Sequence, residues 1–423
     1  MKLQDIIELN PRLTLRKGLP APFIEMAALP TNGKFIAEVG QRKVTGSGAK
    51  FQNGDTLFAR ITPCLENGKG GYVSGLPPEA VGQGSTEFIV FRARKKSDEQ
   101  FAYYLSRYPK FRSFAEQGME GTSGRQRVTW QTLADFELPD LVESERCALG
   151  QVLSSLDDKI ELNRRMNETL EEMARALFRD WFVDFGPIRR QMEGATDPAA
   201  IMGHAFPPEK AAALAPLFPD KLGDAGVPEG WNHGTASDHI DFNPKEPLKK
   251  GTIAPYSDMA SLPTSGSLIA PPVPRDFKSG MRFRNGDALI ARITPCLENG
   301  KAGFVDNLTG EAPVGWGSTE FFVLRSKPHI APQFAYCLVR DPDFRKRAEQ
   351  SMTGTSGRQR AQIEVLKSHE LALPDERVHA EFGAITTPFF EKIKANGQEN
   401  QTLAALRDLL LPKLMSGEIR LQG

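Results

Sequence analysis

The feature that most constrains the fold is a repeat of the sequence within itself. Residues 59–69 read ARITPCLENGK, and residues 291–301 read the same eleven letters at an offset of 232. Two shorter segments recur in the same order at an offset of 233, namely GSTEF at 84–88 and 317–321 and GTSGRQR at 121–127 and 354–360. A nearly constant offset leaves room for few insertions, so both copies should share one fold. A period this long excludes a solenoid of short repeats and indicates a duplicated unit.

Each copy reads as a mixed α+β unit with the same internal order. Strand-like runs at 56–59 and 88–91 are separated by segments that contain glycine and proline. A helical part over 99–117, rich in aromatic and basic residues, leads to the glycine-rich loop at 121–127. The sequence therefore predicts two α/β domains of one fold.

A long helix is predicted after each α/β part, over about 143–182 and about 376–415. Residues at alternating steps of four and three form a coiled-coil seam in the first helix: Leu156, Ile160, Asn163, Asn167, Leu170, Ala174, Leu177 and Trp181. The seam of the second helix contains Phe389, Ile393, Asn396, Asn400, Leu403 and Leu410. A polar seam residue costs stability but fixes register. We therefore assign Asn163, Asn167, Asn396 and Asn400 to helix register, with solvent-facing asparagines as the alternative.

These patterns divide the chain into five segments. We predict an α/β domain over 1–142, a long helix over 143–183, a linker over 184–230, a second α/β domain over 231–375, and a second long helix with a C-terminal tail over 376–423. The linker prediction, with one short helix, rests on the density of proline and glycine in that stretch.

Composition excludes several classes of protein. Apolar residues make up 40% of the chain and charged residues 25%, as in ordinary globular domains, and 53 basic residues balance 53 acidic ones. No apolar stretch approaches the roughly 18 residues of a membrane span. The polar start MKLQDIIELN does not resemble a signal peptide. We therefore expect a cytoplasmic protein.

The sequence lacks the usual signatures of catalysis. The four cysteines form no CxxC pair, the six histidines are scattered and no HExxH occurs, so we expect no bound metal. Neither GxxxxGK[ST] nor a GxGxxG after a strand is present. A loose nuclease-like pattern, Pro139-Asp140 with Asp157-Asp158-Lys159, has its second half on the long helix and is not matched in the second copy. We predict no catalytic residues.

The repeated polar loops suit a polyanion. The loop at 121–127 combines two glycines, which free backbone N–H groups, with two hydroxyls, a glutamine and two arginines, and such groups contact phosphates and base edges. The net charge is +3 over both 107–127 and 340–360. A solvated charged turn is the alternative. The residues that we assign to DNA binding are Arg60, Thr62, Lys69, Ser85, Thr86, Thr122, Ser123, Arg125, Gln126, Arg127, Arg292, Thr294, Lys301, Ser318, Thr319, Thr355, Ser356, Arg358, Gln359 and Arg360.

Taken together, these segments resemble the specificity subunit of type I restriction–modification enzymes. The resemblance is carried by GDTLFARITPCLENGK at 54–69, GQGSTEFIVFR at 82–92, GTSGRQR at 121–127, LFRDWFVDFGP at 177–187 and PEGW at 228–231, and it covers almost the whole chain. It implies an α+β architecture of two target-recognition domains separated by two long antiparallel coiled-coil helices with a pseudo-two-fold axis. Because the N-terminus is short, the tail after Met415 is expected to complete the first domain in a circular arrangement.

The resemblance also implies a division of labour among subunits. This chain is expected to bind double-stranded DNA at a bipartite site, to bind no cofactor and to have no catalysis of its own. Two methyltransferase subunits transfer a methyl group from S-adenosylmethionine to adenine N6 in that family, and restriction subunits translocate DNA with ATP and Mg²⁺. Arg125, Arg127, Arg358 and Arg360 are expected to hold phosphate.

Base reading is expected where the two copies diverge, over 32–52 against 265–284 and over 72–83 against 304–316. Two copies of one fold then predict related, partly palindromic half-sites. The alternative function is a tandem protein-binding adaptor with no DNA role. Duplex binding that weakens steeply with salt separates the two, because counterion release accompanies phosphate contacts.

Overall fold

A computed structural model of the chain describes residues 1–122, 124–203, 206–223, 226–311, 313–355 and 357–421. The chain forms two compact units, of which unit 1 contains 1–163 and 399–423 and unit 2 contains 164–398. The boundary falls inside each long helix, whereas the sequence placed domain boundaries at the helix ends. The reason is that each half of each helix contributes apolar side chains to the core of one unit.

Unit 1 begins with a small mixed α/β body. Its elements in the described residues are α1 (Leu3–Ile6), β1 (Ile7–Leu9), β2 (Pro20–Ile24), β3 (Gly40–Lys43), β4 (Lys50–Phe51), β5 (Thr56–Ala59), β6 (Gly70–Tyr72), β7 (Gly82–Gly84), β8 (Phe88–Ala93), α2 (Glu99–Arg107), α3 (Pro109–Gln117), β9 (Met119–Glu120), β10 (Arg127–Val128), α4 (Trp130–Ala134) and the first half of α5 (Glu143–Phe182). One antiparallel sheet has the order β1-β8-β5-β6, and a second has the order β3-β2-β7-β4 with β2 and β7 parallel.

Unit 2 repeats this plan. Its elements in the described residues are the rest of α5, then α6 (Gly186–Met192), α7 (Pro198–Met202), α8 (Pro208–Leu214), α9 (Ala236–His239), β11 (Ile240–Phe242), β12 (Ile253–Ser257), β13 (Val273–Asp276), β14 (Met281–Phe283), β15 (Ala288–Ala291), β16 (Ala302–Phe304), β17 (Gly315–Gly317), β18 (Phe321–Ser326), α10 (Pro332–Arg340), α11 (Pro342–Gln350), α12 (Ile363–Lys367) and the first half of α13 (Glu376–Met415), whose second half belongs to unit 1. The sheets have the orders β11-β18-β15-β16 and β13-β12-β17-β14, which match those of unit 1. The α+β class and the shared fold of the two copies are confirmed.

The central strands form where the sequence pattern predicted them. All four side chains of β5 are buried, and β5 pairs antiparallel with β8, with Leu57 opposite Val90. The helical part predicted over 99–117 is broken into α2 and α3 at Tyr108, which is extended at ψ 125°. Pro109 explains the break, because proline disfavours helical backbone in the residue before it.

Within each unit, α5 and α13 pack side by side in opposite directions. In unit 1, Asn163 of α5 donates a hydrogen bond to Asn400 of α13, and Leu153 shares a core with Leu411. In unit 2 the corresponding contacts join the second half of α5 to the first half of α13. The antiparallel pairing and both predicted helix spans are confirmed. No helix in the part of the chain that the structure describes is both long enough and apolar enough to cross a membrane.

The segment predicted as a linker over 184–230 is instead part of the core of unit 2. It forms α6, α7 and α8, and its apolar side chains, among them Ile188, Met202, Leu214 and Phe218, are buried. The Phe218 ring lies 5.1 Å from that of Trp181. The linker prediction was wrong because prolines were taken as loop markers. Each of these helices has proline in its first turn, where no intrahelical N–H bond is lost.

Unit 1 is completed by both ends of the chain. Residues 399–421, at the C-terminal end of the chain, belong to this unit. Leu414 and Met415 are fully or almost fully buried there, in the same cluster as Leu3. Leu421 in the tail packs against the same cluster. The predicted circular arrangement, in which the C-terminal tail completes the first domain, is confirmed in this sense.

A buried ion pair joins α5 and α13 inside unit 1. Arg407 donates through Nη1 to Oδ1 of Asp157 at 2.6 Å, and the Tyr104 hydroxyl donates to Oδ2 at 2.7 Å. The side chains of Arg407 and Asp157 are only 9% and 3% exposed. Asp157 belongs to the nuclease-like pattern of the sequence, and here its carboxylate is bound within the unit rather than open to a metal ion.

We expect Arg407→Met to lower the free energy of unfolding of unit 1 by about 3–5 kcal/mol, because Asp157 is left buried without its cation. Asp157→Leu/Arg407→Met should recover most of that loss, since an apolar pair leaves no uncompensated charge. Scanning calorimetry measures both variants. Lys2→Ala, which opens the exposed ion pair with Asp135, is the control and should leave unit 1 unchanged. Equal losses in the single and double variants would contradict the prediction.

Two histidines lie side by side in the core of unit 2. The rings of His239 and His379 are 5.1 Å apart, and they stack on Phe334 and Phe182 respectively. Burial lowers the pKa of His239 to about 4 and the pKa of His379 to about 3. Both are neutral in the folded unit, whereas in the unfolded chain they bind a proton near the ordinary pKa of about 6.5. Because the unfolded state binds more protons below that pH, unit 2 loses stability as pH falls from about 6.5 towards about 4.

The melting temperature of unit 2 should therefore fall as the buffer is acidified below pH ~6.5, with each histidine contributing roughly 1.4 kcal/mol per pH unit at most. His239→Ile, which introduces the residue found at matching position 6 of the first copy, should make this dependence shallower. The exposed His233 supplies the control variant, His233→Ala, with an unchanged slope. Calorimetry across the pH range measures how steeply the melting temperature of each variant falls with pH. An equal slope in His239→Ile and in the parent chain would contradict the prediction.

Candidate nucleic-acid interface

In unit 1 the three repeated segments meet at one place. The N–H of Arg60, which follows β5, donates to the carbonyl of Glu87, and the Arg60 carbonyl accepts from Val128, both at 3.0 Å. The Thr62 N–H donates to the Gln126 carbonyl at 3.1 Å, and the Thr62 hydroxyl oxygen accepts from the Gln126 N–H at 3.2 Å. Backbone hydrogen bonds thus join the turn at 60–69 to the loops at 84–88 and 121–127.

Unit 2 repeats this construction nearly bond for bond. The Arg292 N–H donates to the backbone carbonyl of Glu320 at 2.9 Å, and the Arg292 carbonyl accepts from the N–H of Ala361 at 2.8 Å. The Thr294 N–H donates to the backbone carbonyl of Gln359 at 3.0 Å, and the Thr294 hydroxyl oxygen accepts from the N–H of Gln359 at 3.1 Å. The two threonines of this motif therefore hold the loops together.

A carboxylate–guanidinium pair fixes the glycine-rich loop of each unit. Nε and Nη2 of Arg127 donate to the Glu87 carboxylate at 2.7–3.0 Å, and Arg360 holds Glu320 in the same way at 2.7–3.1 Å. The hydrogen bonds to the glutamates raise the pKa of Arg127 and of Arg360, and the bond from Arg360 lowers the pKa of Glu320. A bidentate ion pair of this kind fixes the orientation of the guanidinium plane. These two arginines, predicted to hold phosphate, thus have their Nε and Nη2 donors committed within the protein.

Arg125 and Arg358 are placed differently from their neighbours. Both are exposed, and within the described residues neither guanidinium has a hydrogen-bond or ion-pair partner. Their N–H groups donate to the carbonyls of Thr122 and Thr355 at 3.0 Å, which closes the turn. Gly121 has φ +126°, and a Cβ there would lie 3.1 Å from the Arg125 carbonyl oxygen, so this turn requires glycine. The loop presents Arg125 to solvent from a fixed base.

The other loop residues assigned to DNA binding are mostly at the surface. The Ser85 and Ser318 hydroxyl oxygens accept from the N–H groups of Glu87 and Glu320 at 3.1 Å and so shape their turns. The exposed residues are Thr86, Thr122, Thr319 and Thr355, and the half-buried ones are Gln126 and Gln359. Ser123 and Ser356 lie outside the described residues.

Lys69 and Lys301 have a contact that the sequence did not anticipate. Each is half-buried, and its Nζ donates at 2.7 Å to the backbone carbonyl of Met26 or Met259 in its own unit. The turn before each lysine therefore directs the ammonium group onto a neighbouring loop rather than into solvent. DNA binding by these two lysines stays a prediction that this placement does not favour.

The four seam asparagines pair across the helices within their own units. In unit 1, Asn163 is fully buried and its Nδ2 donates to Oδ1 of Asn400 at 3.0 Å. In unit 2, Asn396 is fully buried and its Nδ2 donates to Oδ1 of Asn167 at 2.8 Å. The solvent-facing alternative does not hold for Asn163 and Asn396. Matching partners in both units fit a role in register, because a shifted pairing would leave buried amides without partners.

Sequence reasoning missed the glutamates that hold the loops. Glu87 and Glu320 were part of the repeated GSTEF segment but were not assigned a role. A signal was present, since each lies 40 residues before the arginine that it binds, in both copies. An acidic and a basic residue that recur at the same separation in both copies indicate an internal ion pair more strongly than either residue alone.

Comparison with known proteins gives one consistent result at the sequence level. No family model matches the chain. The type I restriction enzyme HindI specificity subunit of Haemophilus influenzae is 25% identical over 464 residues, which cover 92% of this chain and 92% of that protein. The MjaIX specificity subunit of Methanocaldococcus jannaschii is 24% identical over 454 residues, which cover 100% and 93%. A crystal structure of a type I restriction–modification S subunit from M. genitalium aligns over 98% and 95% of the two chains, with 16% identity and a TM-score of 0.49.

The sequence relatives span both units, both long helices and the tail rather than one repeat. Their coverage of the chain agrees with the order of repeated segments that carried the resemblance in the sequence. Over nearly its whole length, the chain is similar to type I restriction enzyme specificity subunits.

Proposed function

We propose that this chain is the DNA sequence-specificity subunit of a type I restriction–modification complex. It binds a bipartite DNA site through its two similar units, and it directs adenine-N6 methylation and restriction by partner subunits. The observation that carries the proposal is the pair of loops at 121–127 and 354–360. Both are fixed at the base by an internal arginine–glutamate pair, and both present one free arginine.

A fixed loop with a free guanidinium suits phosphate. The backbone of the loop is already fixed, so little conformational freedom beyond that of the arginine side chain is lost on binding. Phosphate contacts position a protein on the duplex, whereas base edges specify the sequence. Arg125 and Arg358 are therefore proposed as positioning contacts, and base reading is proposed for the segments in which the two copies differ.

The chemistry is proposed to reside in partners. Two methyltransferase subunits use S-adenosylmethionine, restriction subunits use ATP and Mg²⁺ to translocate DNA, and this chain binds no cofactor itself. All of them act in the cytoplasm. The paired asparagines of the long helices are proposed to hold the helix register on which the accepted gap between half-sites depends.

The purified chain should neither methylate nor cut DNA. With its methyltransferase subunits it should direct adenine-N6 methylation to one bipartite sequence, because the complex then contains both catalytic subunits and a subunit that recognises the DNA sequence. Methylome sequencing of cells that carry both subunits measures this, with cells that carry the methyltransferase alone as the control. Turnover by the single chain, or methylation unchanged by its removal, would reject the proposal. A chain that binds the methyltransferase but no DNA would favour the adaptor function.

Arg125→Ala should weaken duplex binding by a similar factor for all sequences and should reduce the slope of log K against log salt by about one. Its stability should not change, because the guanidinium has no partner in the described structure to lose. Arg127→Ala is the matched comparison, since it leaves Glu87 unpaired and should speed amide exchange in the loop at 121–127 several-fold. Fluorescence anisotropy in a salt series and hydrogen exchange provide the two readouts. A loss confined to one base position in Arg125→Ala would refute the phosphate role.

A further inference from the structure

An open cleft of about 580 Å³ lies beside the joined loops of unit 1. Its walls come from four places in the sequence, namely the segment after β1, the loop that leads into β4, Arg60 after β5, and the loop at 84–88 with the start of β8. The side chains that matter for its chemistry are those of Arg12, Lys50, Arg60, Thr86 and Phe88. The sequence analysis did not single out Arg12, and Lys50 lies in the segment over 32–52 in which base reading is expected.

The cleft is strongly cationic. It is lined by three basic side chains, and none of the described residues that line it is acidic. Arg12 is exposed and has no side-chain partner in the described structure, while Lys50 donates to the Leu13 carbonyl at 2.9 Å. Nε of Arg60 is buried and without a hydrogen-bond partner in the described part of the chain. A buried guanidinium N–H without an acceptor is costly, so a bound anion would satisfy a donor that the fold leaves open.

The backbone holds this cleft in shape. Asn10 turns the chain after β1 in the left-handed region at φ 51°, and its Oδ1 accepts from the N–H of Val90 at 3.0 Å. Gly48 has φ +119°, and a Cβ there would lie 2.5 Å from the carbonyl oxygen of Gly84. The loop between β3 and β4 can approach the loop at 84–88 this closely only with glycine. Arg12 and Lys50 are thus attached to walls of defined geometry.

The matching positions of unit 2 stay basic, and one acidic residue is added. Lys245 takes the place of Arg12 and Arg282 that of Lys50, whereas Glu246 takes the place of Leu13. The Glu246 carboxylate is 9% exposed and bound to Arg325. Nε of Arg292, the counterpart of Arg60, is likewise buried and without a hydrogen-bond partner among the described residues, but it lies 3.3 Å from the Glu320 carboxylate. Met281 also replaces Ala49, so a larger side chain stands where the cleft of unit 1 has a methyl group.

We propose that the cleft of unit 1 binds one phosphodiester of the DNA backbone through Arg12, Lys50 and Arg60, and that the matching site of unit 2, which contains Glu246, binds one less firmly. Guanidinium and ammonium groups converging on an open cleft suit a tetrahedral oxyanion, and the exposed Thr86 hydroxyl adds a donor. The inference rests on the proposed function, because it names a contact for the DNA which that function requires. It makes the two units unequal in how firmly they hold the duplex.

The test uses the full chain assembled with its methyltransferase subunits and a duplex that carries the site found by methylome sequencing. Arg12→Ala should weaken binding about five- to tenfold near physiological salt and reduce the salt slope by about one. Arg60→Met should act in the same direction. Lys245→Ala, the matched change in unit 2, should leave affinity and slope within twofold of the parent chain. Calorimetry shows whether each variant is folded. If Arg60→Met does not fold, Arg12→Ala alone tests the phosphate contact.

Phosphate ethylation interference locates the contact independently of affinity. The parent complex should be blocked by ethylation of a phosphate in the half-site bound by unit 1, and Arg12→Ala should lose sensitivity at that phosphate alone. An unchanged salt slope and interference pattern in Arg12→Ala would overturn the cleft contact while leaving the proposed function intact. A changed base preference would assign the cleft to base edges and overturn the phosphate assignment. Failure of the parent complex to bind DNA would overturn the proposed function itself.

Discussion

Each unit depends on a pair of helix segments that are remote from each other in sequence. The hydrogen bond between Asn163 and Asn400 in unit 1 closes a loop of 237 residues. Closing so long a loop costs conformational entropy, although the cost rises only slowly with length. The apolar side chains that α13 contributes, Leu411, Leu414 and Met415, offset it by burial against the first α/β body. Unit 1 is therefore complete only when the last part of the chain is in place, which is the physical content of the circular arrangement.

The duplication shows two physical solutions at one position of the fold. In unit 1 the helix pair contains the buried Asp157–Arg407 pair with the Tyr104 hydroxyl. The matching positions in unit 2 are occupied by Phe390, Ala174 and Cys337, all of which lie in its apolar core. An ionic pair demands a defined geometry and gains little net stability, whereas an apolar set packs without that demand. The same backbone accommodates both because each set is complete in itself.

Much of this fold could be predicted, because the predicted features depended on local pattern or on repetition. The seam spacing predicted that both stretches form long helices, even though Pro388 lies inside α13 and costs about 3 kcal/mol in a helix interior. Burial of neighbours such as Phe390 and Ile393 outweighs that cost. The segment over 184–230 was misjudged because composition alone cannot show which apolar residues find a core. The internal contacts of Lys69 and Arg127 could not be predicted, because their partners, a backbone carbonyl and a remote carboxylate, are tertiary features.

In the candidate site, the residues that recur in both copies have a different role from the neighbouring residues that differ between them. The letters that recur unchanged, from Arg60 to the loop at 121–127, build the hydrogen bonds that join three segments in both units. Nε is buried and without a hydrogen-bond partner in both Arg60 and Arg292, yet among the described residues only Arg292 has a carboxylate within 3.3 Å of it. Identical residues on one scaffold thus acquire different charge environments from the side chains beside them. A duplicated unit can therefore keep its scaffold fixed while adjacent positions, such as those of Leu13 and Glu246, give each copy a different charge.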